Sequence, residues 1–407
     1  MTARINLRAW IVPVALAVLL LGGLAIRLAV LPIPGHYGDS VVTTRWAENM
    51  ARYGPWHFYE HDGAVYPALL YVYWPLGVLF DGETLARVVK GLSIPFDLEL
   101  GVVVYFVARR MVGPIRALIA PAVYLLNPGV ILAGPLWGQI DAAGALVYLL
   151  ALLAAVGGRF GLAGGLGMLA TLIKPQFGLA ALPIGILAIV AWYRSGKIGP
   201  LLWTFNAAIV TYLAVAIPLR LDPVSFVSRA AGVAVDKPYT SANAPNLWGV
   251  LVGYKLPDAH YVVIGGVLLA LGLAASLIPL RFRRDLVSVL AVGLFLVLAF
   301  YLLPTRIHER YLFPAIALLA PLAAASWRVF GATMVMTVVF ALTMLYALAD
   351  TTSFKLPPGI ETVLLSRTAV IWIGMTLMAT AVALVILLPW RISPPEPIAV
   401  EASAPPG

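Results

Sequence analysis

The apolar stretch WIVPVALAVLLLGGLAIRLAVLP, residues 10–32, decides the fold class of this chain. At a rise of about 1.5 Å per residue, a helix of this length crosses the hydrocarbon core of a bilayer. Arg4 and Arg8 precede it. Because the apolar run is longer than the core of a cleaved signal peptide, we predict a retained signal anchor.

The rest of the chain has the same character. Of its 407 residues, 62% are hydrophobic and 11% are charged, and the mean hydropathy is +0.95. Soluble domains are about half apolar and a quarter charged, so one continuous membrane domain is predicted for residues 1–392. The chain has no cysteine, which excludes disulfides and thiolate metal sites. The net charge of +9 is spread over the ends of apolar runs, which favours anchoring of helix ends over a nucleic-acid partner.

The apolar runs predict an all-α, polytopic bundle of about twelve membrane-spanning helices. The predicted spans lie at 10–31, 86–108, 115–132, 141–157, 160–173, 177–193, 199–219, 260–280, 286–303, 311–326, 329–349 and 368–389. The segment Tyr66–Phe80 is also apolar, but it holds two prolines and five aromatic residues. Aromatic rings with polar tips prefer the membrane interface, so we predict a helix that lies there.

The positions of the charges predict the topology. With the N-terminus inside, the Arg and Lys residues of the short turns face the cytoplasm, as the positive-inside rule requires. If residues 66–80 crossed the membrane, the basic turns at 109–116 and 281–284 would face outward, so that alternative is rejected. The prediction is a multi-pass plasma-membrane protein with both termini inside and two large outer loops, 33–85 and 220–259. Residues 393–407, rich in Pro, Ala and Ser, are predicted to be a disordered cytoplasmic tail.

Five groups of polar residues fall on the predicted outer side. They are Asp39 in HYGDS, Trp137–Asp141 after Asn127-Pro128, Lys174–Gln176, the set Asn243, Asn246 and Trp248 in the 220–259 loop, and Arg306–Tyr311. Each group also has a structural interpretation: a helix cap, an interfacial anchor, a snorkelling cation, an ordered turn and an ion-pair cluster, respectively. Because polar groups at membrane depth are costly, their shared location favours a function.

These residue types suit a sugar carried on a polyprenyl phosphate, whose tail lies in the bilayer and whose phosphate lies at the interface. Cations at helix ends would bind the phosphate and stabilise the charge that grows on it as it leaves. The candidates are His308, Arg310, Arg306 and Lys174. Asp39 would accept the proton of the acceptor hydroxyl, with its pKa raised by partial desolvation. The predicted sugar- or acceptor-binding residues are Trp137, Gln139, Asp141, Gln176, Asn243, Asn246, Trp248 and Glu309.

At these residues the chain resembles the GT-C superfamily of polytopic glycosyltransferases that use polyprenyl-phosphate sugars. It is similar to bacterial mannosyltransferase-like members and, more distantly, to the eukaryotic dolichyl-phosphate-glucose transferases. The likeness covers nearly all of residues 10–330. It rests on the order and spacing of Gly38-Asp39, Trp46, Gly54, Tyr59, Tyr66-Pro67, Asn127-Pro128, Trp137–Asp141, Lys174–Gln176 and His308–Tyr311.

The resemblance implies a GT-C-like fold and an inverting transfer of a hexose, with mannose as the family-level expectation. The acceptor would be a lipid-linked or glycan molecule on the extracytoplasmic side. The resemblance also implies that Asp39 is the base and that His308 and Arg310 contact the donor phosphate. Many superfamily members have paired acids in the first loop, whereas Asp39 stands alone here. No cofactor is therefore predicted, although a divalent metal at His57, His61 and Asp62 stays open on their spacing.

Two other functional classes stay open. A secondary transporter for an anionic substrate would show repeats and broken helices near the midplane. Its best support is the pair of intramembrane acids Asp97 and Glu99, although we expect both to bond to neighbouring helices. The third class is a lipid-carrier flippase or a structural scaffold, which would not release polyprenyl phosphate from a sugar donor.

Overall fold

The computed structural model describes residues 7–235 and 237–388. The predicted tail, 393–407, lies outside these residues. Within the described ranges the chain is helical, and its only strand-like pairings are isolated bridges. The helices are α1 Leu7–Val30, α2 Tyr37–His61, α3 Pro67–Leu79, α4 Gly82–Gly91, α5 Ser93–Arg109, α6 Pro114–Ala117, α7 Ile119–Leu125, α8 Pro128–Ile131, α9 Asp141–Val156, α10 Phe160–Ile173, α11 Ala181–Ser195, α12 Gly199–Ala216, α13 Pro223–Val235, α14 Leu247–Leu251, α15 Val262–Ser276, α16 Pro279–Phe282, α17 Leu286–Leu302, α18 Phe313–Ala325, α19 Trp327–Thr351, α20 Pro358–Leu364 and α21 Arg367–Leu387.

Seven helical runs among the described residues are long and apolar enough to cross a membrane. They are Trp10–Val30, Gly82–Arg109, Pro175–Ser195, Gly199–Ala216, Val262–Phe282, Trp327–Thr351 and Arg367–Leu387. The pair Pro114–Leu125 and Pro128–Leu136, bent by 44°, raises the number to eight if it forms one span. An all-α, multi-pass membrane bundle is therefore confirmed, but the count of about twelve is not. Four predicted spans, at 141–157, 160–173, 286–303 and 311–326, are helices of only 16, 14, 17 and 13 residues.

The core of the bundle is formed by α17 and α18, in which nearly every residue is buried. Most residues of the helices at the periphery of the bundle are exposed at the protein surface, and only 6% of the residues of α12 are buried inside the protein. This arrangement is stable in a membrane because lipid tails are as apolar as the side chains they contact. The turn between α17 and α18 carries the Arg306–Tyr311 group and is therefore held between two rigid helices.

A buried ion pair attaches α1 to the bundle. Arg27 Nε donates to Asp97 Oδ2 at 2.9 Å, and the Tyr124 hydroxyl donates to Asp97 Oδ1 at 2.6 Å. All three side chains are fully buried. The expectation that Asp97 bonds to neighbouring helices is confirmed. Glu99 lies on the exposed face of α5, where the described structure gives it no side-chain bond, so the same expectation for Glu99 is wrong.

The first long loop, residues 33–85, is largely helical. α2 bends at Gly54, whose φ of +66° is a left-handed conformation that suits glycine, and Pro55 follows it. The predicted helix at Tyr66–Phe80 is present as α3 and packs against α2. Its depth in the membrane stays a prediction. The consequence for the site is that the start of α2 is held against the rest of the bundle.

Candidate active site

Asp39 lies in the first turn of α2, where its backbone N–H is capped by His36. The Nδ1 atom of His36 accepts a hydrogen bond from Asp39 N at 3.1 Å, so His36, and not Asp39, is the helix cap. The His36 ring stacks on Trp137 with ring centroids 4.9 Å apart. Gly35 lies so close to the Leu136 carbonyl that any side chain there would collide with it. The start of α2 is thus pressed against the turn that carries Trp137.

The two oxygens of Asp39 have different environments. Oδ2 accepts hydrogen bonds from Trp137 Nε1 at 2.8 Å and from Gln139 Nε2 at 2.6 Å. Arg310 Nη2 lies 3.9 Å from the same oxygen. Oδ1 has no hydrogen-bond partner within residues 7–235 and 237–388, and 29% of the side chain is exposed. The carboxylate is therefore held by one oxygen and has the other free to meet a ligand.

A break in the chain places Trp137 and Gln139 beside Asp39. Asn127 caps α8 by accepting from Val130 N at 3.2 Å, and it donates to Thr337 Oγ1 at 2.9 Å. A π-helical turn, Leu132–Leu136, follows α8 directly. Such turns are frequent at functional sites. The Asn127-Pro128 motif therefore has a structural role: it begins the segment that places two hydrogen-bond donors, Trp137 and Gln139, beside Asp39.

Lys174 orients Gln139 from inside the protein. Its ammonium donates to Asp141 Oδ1 at 2.7 Å and to Gln139 Oε1 at 2.9 Å, and only 1% of the residue is exposed. Because the lysine fixes the amide oxygen, the amide nitrogen must point at Asp39. The snorkelling alternative is wrong, because the lysine is buried and pairs with Asp141. Donor-phosphate binding by Lys174 and sugar binding by Asp141 stay predictions.

Arg310 and Glu309 form the other side of the cluster. Arg310 Nη1 lies 2.8 Å from Glu309 Oε1 and 3.4 Å from His308 Nδ1. The guanidinium also lies over the ring of Trp137, 5.8 Å from its centroid. Glu309 is buried and pairs with Arg310, and its contact with a sugar stays a prediction. Trp137 is buried between His36 and Arg310 and offers no open face to a sugar.

The pKa of Asp39 is about 2, which is below its usual value. Burial raises this pKa, but the charge of Arg310, the Trp137 hydrogen bond and the charges of His36 and Lys174 together outweigh burial. Desolvation acts in the expected direction, but the expectation that Asp39 has a raised pKa is wrong, because nearby cations and a hydrogen bond lower the pKa more than burial raises it. The pKa of His308 is well below its usual value because of burial, Arg310 and Lys237, so the imidazole is neutral.

Four predicted residues of the outer loops have structural contacts away from Asp39. Arg306, with φ of +66°, pairs with Asp258 at 2.6 Å. The side chains of the other three bond elsewhere: Asn243 to Asp350, Asn246 to the Pro304 carbonyl, and Trp248 to the Leu303 carbonyl. The backbone of Asn243 also bridges to His308. The 220–259 loop thus orders the turn that carries His308, as its structural interpretation proposed.

A cavity of about 660 Å³ opens beside this cluster. Its apolar walls come from α11 and α15, two of the runs long enough to cross a membrane, with Phe300 of α17 behind them. Its polar end is lined by Tyr66, Gln176, Lys237, Arg306, His308 and Tyr311. Gln176 Nε2 is buried there without a partner in the described structure. Lys237 is a candidate that sequence reasoning missed, because its contact with the cavity depends on how the outer loop folds back.

No family model matches this chain, and no curated protein matches it in sequence. The functional assignment therefore depends on the motifs and on the geometry of this site.

The three residues left open as metal ligands, His57, His61 and Asp62, do not converge. Within the part of the chain that the structure describes, no three His, Cys, Asp or Glu side chains are grouped to hold a metal ion. Their actual contacts are His57 with Glu60, His61 with the ring of Tyr53, and Asp62 with Arg45, Trp46 and Asn49. Asp62 thus accepts the hydrogen bonds that connect the end of α2 to residues 45–49 of the same helix.

Gln139→Leu should lower the free energy of unfolding by about 2–3 kcal/mol, because two hydrogen bonds to charged groups are lost. The measurement is a denaturant titration of the purified protein in mixed micelles. Gln176→Leu is the matched control, since the amide nitrogen of Gln176 has no partner in the described structure. Equal stability of the two variants would contradict the orienting role of Gln139.

Proposed function

We propose that this protein is an inverting glycosyltransferase of the extracytoplasmic membrane face. It would move a hexose, with mannose as the first candidate, from a polyprenyl-phosphate donor to a lipid-linked or glycan acceptor. One observation carries the proposal: Asp39 lies 3.9 Å from Arg310, and the neighbouring His308 and Tyr311 line a cavity whose walls include two helical runs long and apolar enough to cross a membrane. This combination suits a substrate with an apolar tail and a phosphate.

The cavity supports the donor assignment. Its walls, from α11 and α15, would cover part of an isoprenoid chain that enters from the bilayer. The donor's phosphate would lie at the polar end, where His308 and Tyr311 line the cavity and precede and follow Arg310 in the chain. A neutral imidazole can donate one hydrogen bond to a phosphate oxygen. Because it carries no charge, it does not compete with Arg310 for the carboxylates of Glu309 and Asp39.

Asp39 supplies the base. The acceptor hydroxyl would attack the anomeric carbon while its proton passes to Asp39 Oδ1, the oxygen that the protein leaves free. The bond from the anomeric carbon to the phosphate oxygen breaks, and polyprenyl phosphate leaves with the electron pair. Arg310, whose chain neighbours His308 and Tyr311 line the cavity, would stabilise the charge that grows on that phosphate. One displacement inverts the anomeric configuration, and these groups require no cofactor.

Donor binding would also strengthen the base. The pKa of Asp39 is about 2 because, although burial raises it, Arg310 and neighbouring donors lower it further. A phosphate placed against Arg310 adds negative charge to the site. That charge offsets the effect of Arg310 and raises the pKa of Asp39. The carboxylate would become a stronger base only when the donor is in place.

The test is turnover by the purified protein in lipid, supplied with a panel of polyprenyl-phosphate hexoses and with nucleotide sugars as the control. We expect one donor of the panel to be consumed, polyprenyl phosphate to be released, and a glycosylated lipid or glycan to appear by mass spectrometry. Nucleotide sugars should not be consumed. Absence of polyprenyl phosphate release with every donor of the panel would reject the proposal.

One observation favours the transporter alternative, namely the 44° bend between Pro114–Leu125 and Pro128–Leu136. Broken helices often line transport sites. Here the break leads into the turn that binds Asp39, so it also serves the proposed enzyme. Counterflow of radiolabelled anions in vesicles separates the two functions, because a transporter moves its substrate without cleaving it.

A further inference from the structure

The cations near the polar end of the cavity are mostly neutralised by the protein itself. The pairs are Arg306 with Asp258 at 2.6 Å, Arg310 with Glu309 at 2.8 Å, and Lys174 with Asp141 at 2.7 Å. A cation that already has a carboxylate within hydrogen-bond distance gains less from an incoming phosphate than an unpaired one does. Arg306 and Lys174 therefore shape the site, and Arg310, which already pairs with Glu309, gains less from a bound phosphate than an unpaired cation would.

Lys237 differs from these cations. It lines the cavity, its side chain is exposed, and no acid within residues 7–235 and 237–388 pairs with it. It is close enough to His308 for its charge to lower the pKa of that imidazole, after burial and Arg310. Among the described residues, 7–235 and 237–388, Lys237 is thus a cation at the polar end that no acid pairs with, and it is close enough to the neutral His308 to influence its pKa.

The backbone holds this lysine in place. Lys237 O accepts from Tyr239 N at 2.8 Å, and Tyr239 O accepts from Arg306 N at 3.1 Å. Tyr239 also bridges to Pro257, and its hydroxyl lies 3.4 Å from His308 Nε2. The segment that begins at Lys237 is therefore attached to the same turn that carries His308.

We propose that Lys237 binds the phosphate of the lipid-linked donor at the polar end of the cavity, beside His308. This inference rests on the proposed function and adds to it the residue that supplies the unneutralised charge. The ligand class that fits is an isoprenoid with a phosphate at one end, because the charge lies at the end of an apolar cavity. An isoprenoid tail alone would contact only the apolar walls of the cavity, and a free phosphate would contact only its polar end.

The test is equilibrium binding of farnesyl phosphate to the purified full chain in nanodiscs, with farnesol and inorganic phosphate as the partial ligands. We expect Lys237→Gln to weaken farnesyl phosphate binding about ten-fold or more, which is typical of a lost charge-assisted hydrogen bond. Lys237→Arg should restore most of the affinity. Lys197→Gln is the matched control, because Lys197 is an exposed lysine beyond the far end of α11. Because Lys237 is exposed, its substitution should leave the unfolding temperature unchanged.

The outcomes separate the inference from the proposed function. If the unsubstituted protein binds farnesyl phosphate and Lys237→Gln binds it equally well, the role of Lys237 is rejected and the proposed donor class stands. If the unsubstituted protein does not bind farnesyl phosphate, the inference and the proposed donor class are both rejected. Equal affinity for inorganic phosphate would identify a free-phosphate site and would overturn the lipid-linked ligand.

Discussion

Asp39→Asn should lower the rate of sugar transfer about 10³-fold, because a positioned general base contributes about 10²–10⁴-fold to such a reaction. The amide can still accept hydrogen bonds from Trp137 and Gln139, so the start of α2 should keep its position. The amide cannot take a proton from the acceptor hydroxyl at the atom that replaces Oδ1. The measurement is single-turnover release of polyprenyl phosphate, with the unfolding temperature recorded for the same preparation.

The matched control is Asp81→Asn, which makes the same chemical change at an exposed residue before α4. It should transfer sugar at the normal rate.

The pH dependence gives a second readout. In the free enzyme the pKa of Asp39 is about 2, so the base stays ionised down to strongly acidic pH. Bound phosphate would raise that pKa, so the acid limb of kcat should lie at higher pH than that of kcat/KM. Normal transfer by Asp39→Asn would remove Asp39 from the mechanism.

Arg27→Met should destabilise the protein by about 3–5 kcal/mol, because it leaves the carboxylate of Asp97 buried without its cation. Asp97 is fully buried, and Tyr124 alone would remain to donate to it. The loss should appear as a lower unfolding temperature in detergent and as increased proteolysis in the α1–α2 connection, since α1 has few other buried residues. The measurement is denaturant unfolding of purified protein in mixed micelles.

The double variant Arg27→Met, Asp97→Leu distinguishes the ion pair from simple packing. Replacing both members of a buried pair by apolar residues is often neutral, so we expect the double variant to recover most of the lost stability. Glu99→Leu is the control on the same helix, and it should not destabilise the protein because Glu99 is exposed. Additive losses in the double variant would show that Arg27 and Asp97 do not act as a pair.

The sequence predicted the parts of the site better than their arrangement. Long apolar runs identify membrane helices by composition alone. Motifs such as Gly38-Asp39 and Trp137–Asp141 identify polar groups near the membrane, where they are costly and therefore usually have a function. The structure brings Asp39, Gln139, Lys174 and Arg310 together, although they are spread over more than 250 residues.

The direction of each side chain could not be read from the motifs. Lys174 ends a helix, which is compatible with a cation facing the headgroups, and only the position of Asp141 turns it inward. The pKa of Asp39 depends on the distance to Arg310 as much as on burial, and a sequence gives no such distance. The count of about twelve spans is not confirmed for a related reason: short apolar helices such as α10 and α17 have the composition of a span but not its length.

The ion pair between Arg27 and Asp97 also has a consequence for biogenesis. The two residues are 70 positions apart in the chain. At about 5–20 residues per second of translation, Arg27 emerges several seconds before the carboxylate that will neutralise it exists. During that interval an arginine on an inserted helix extends its side chain toward the headgroups. α1 therefore inserts into the membrane before its ion pair can form. It can attach to the bundle through Asp97 only after α5 has been synthesised.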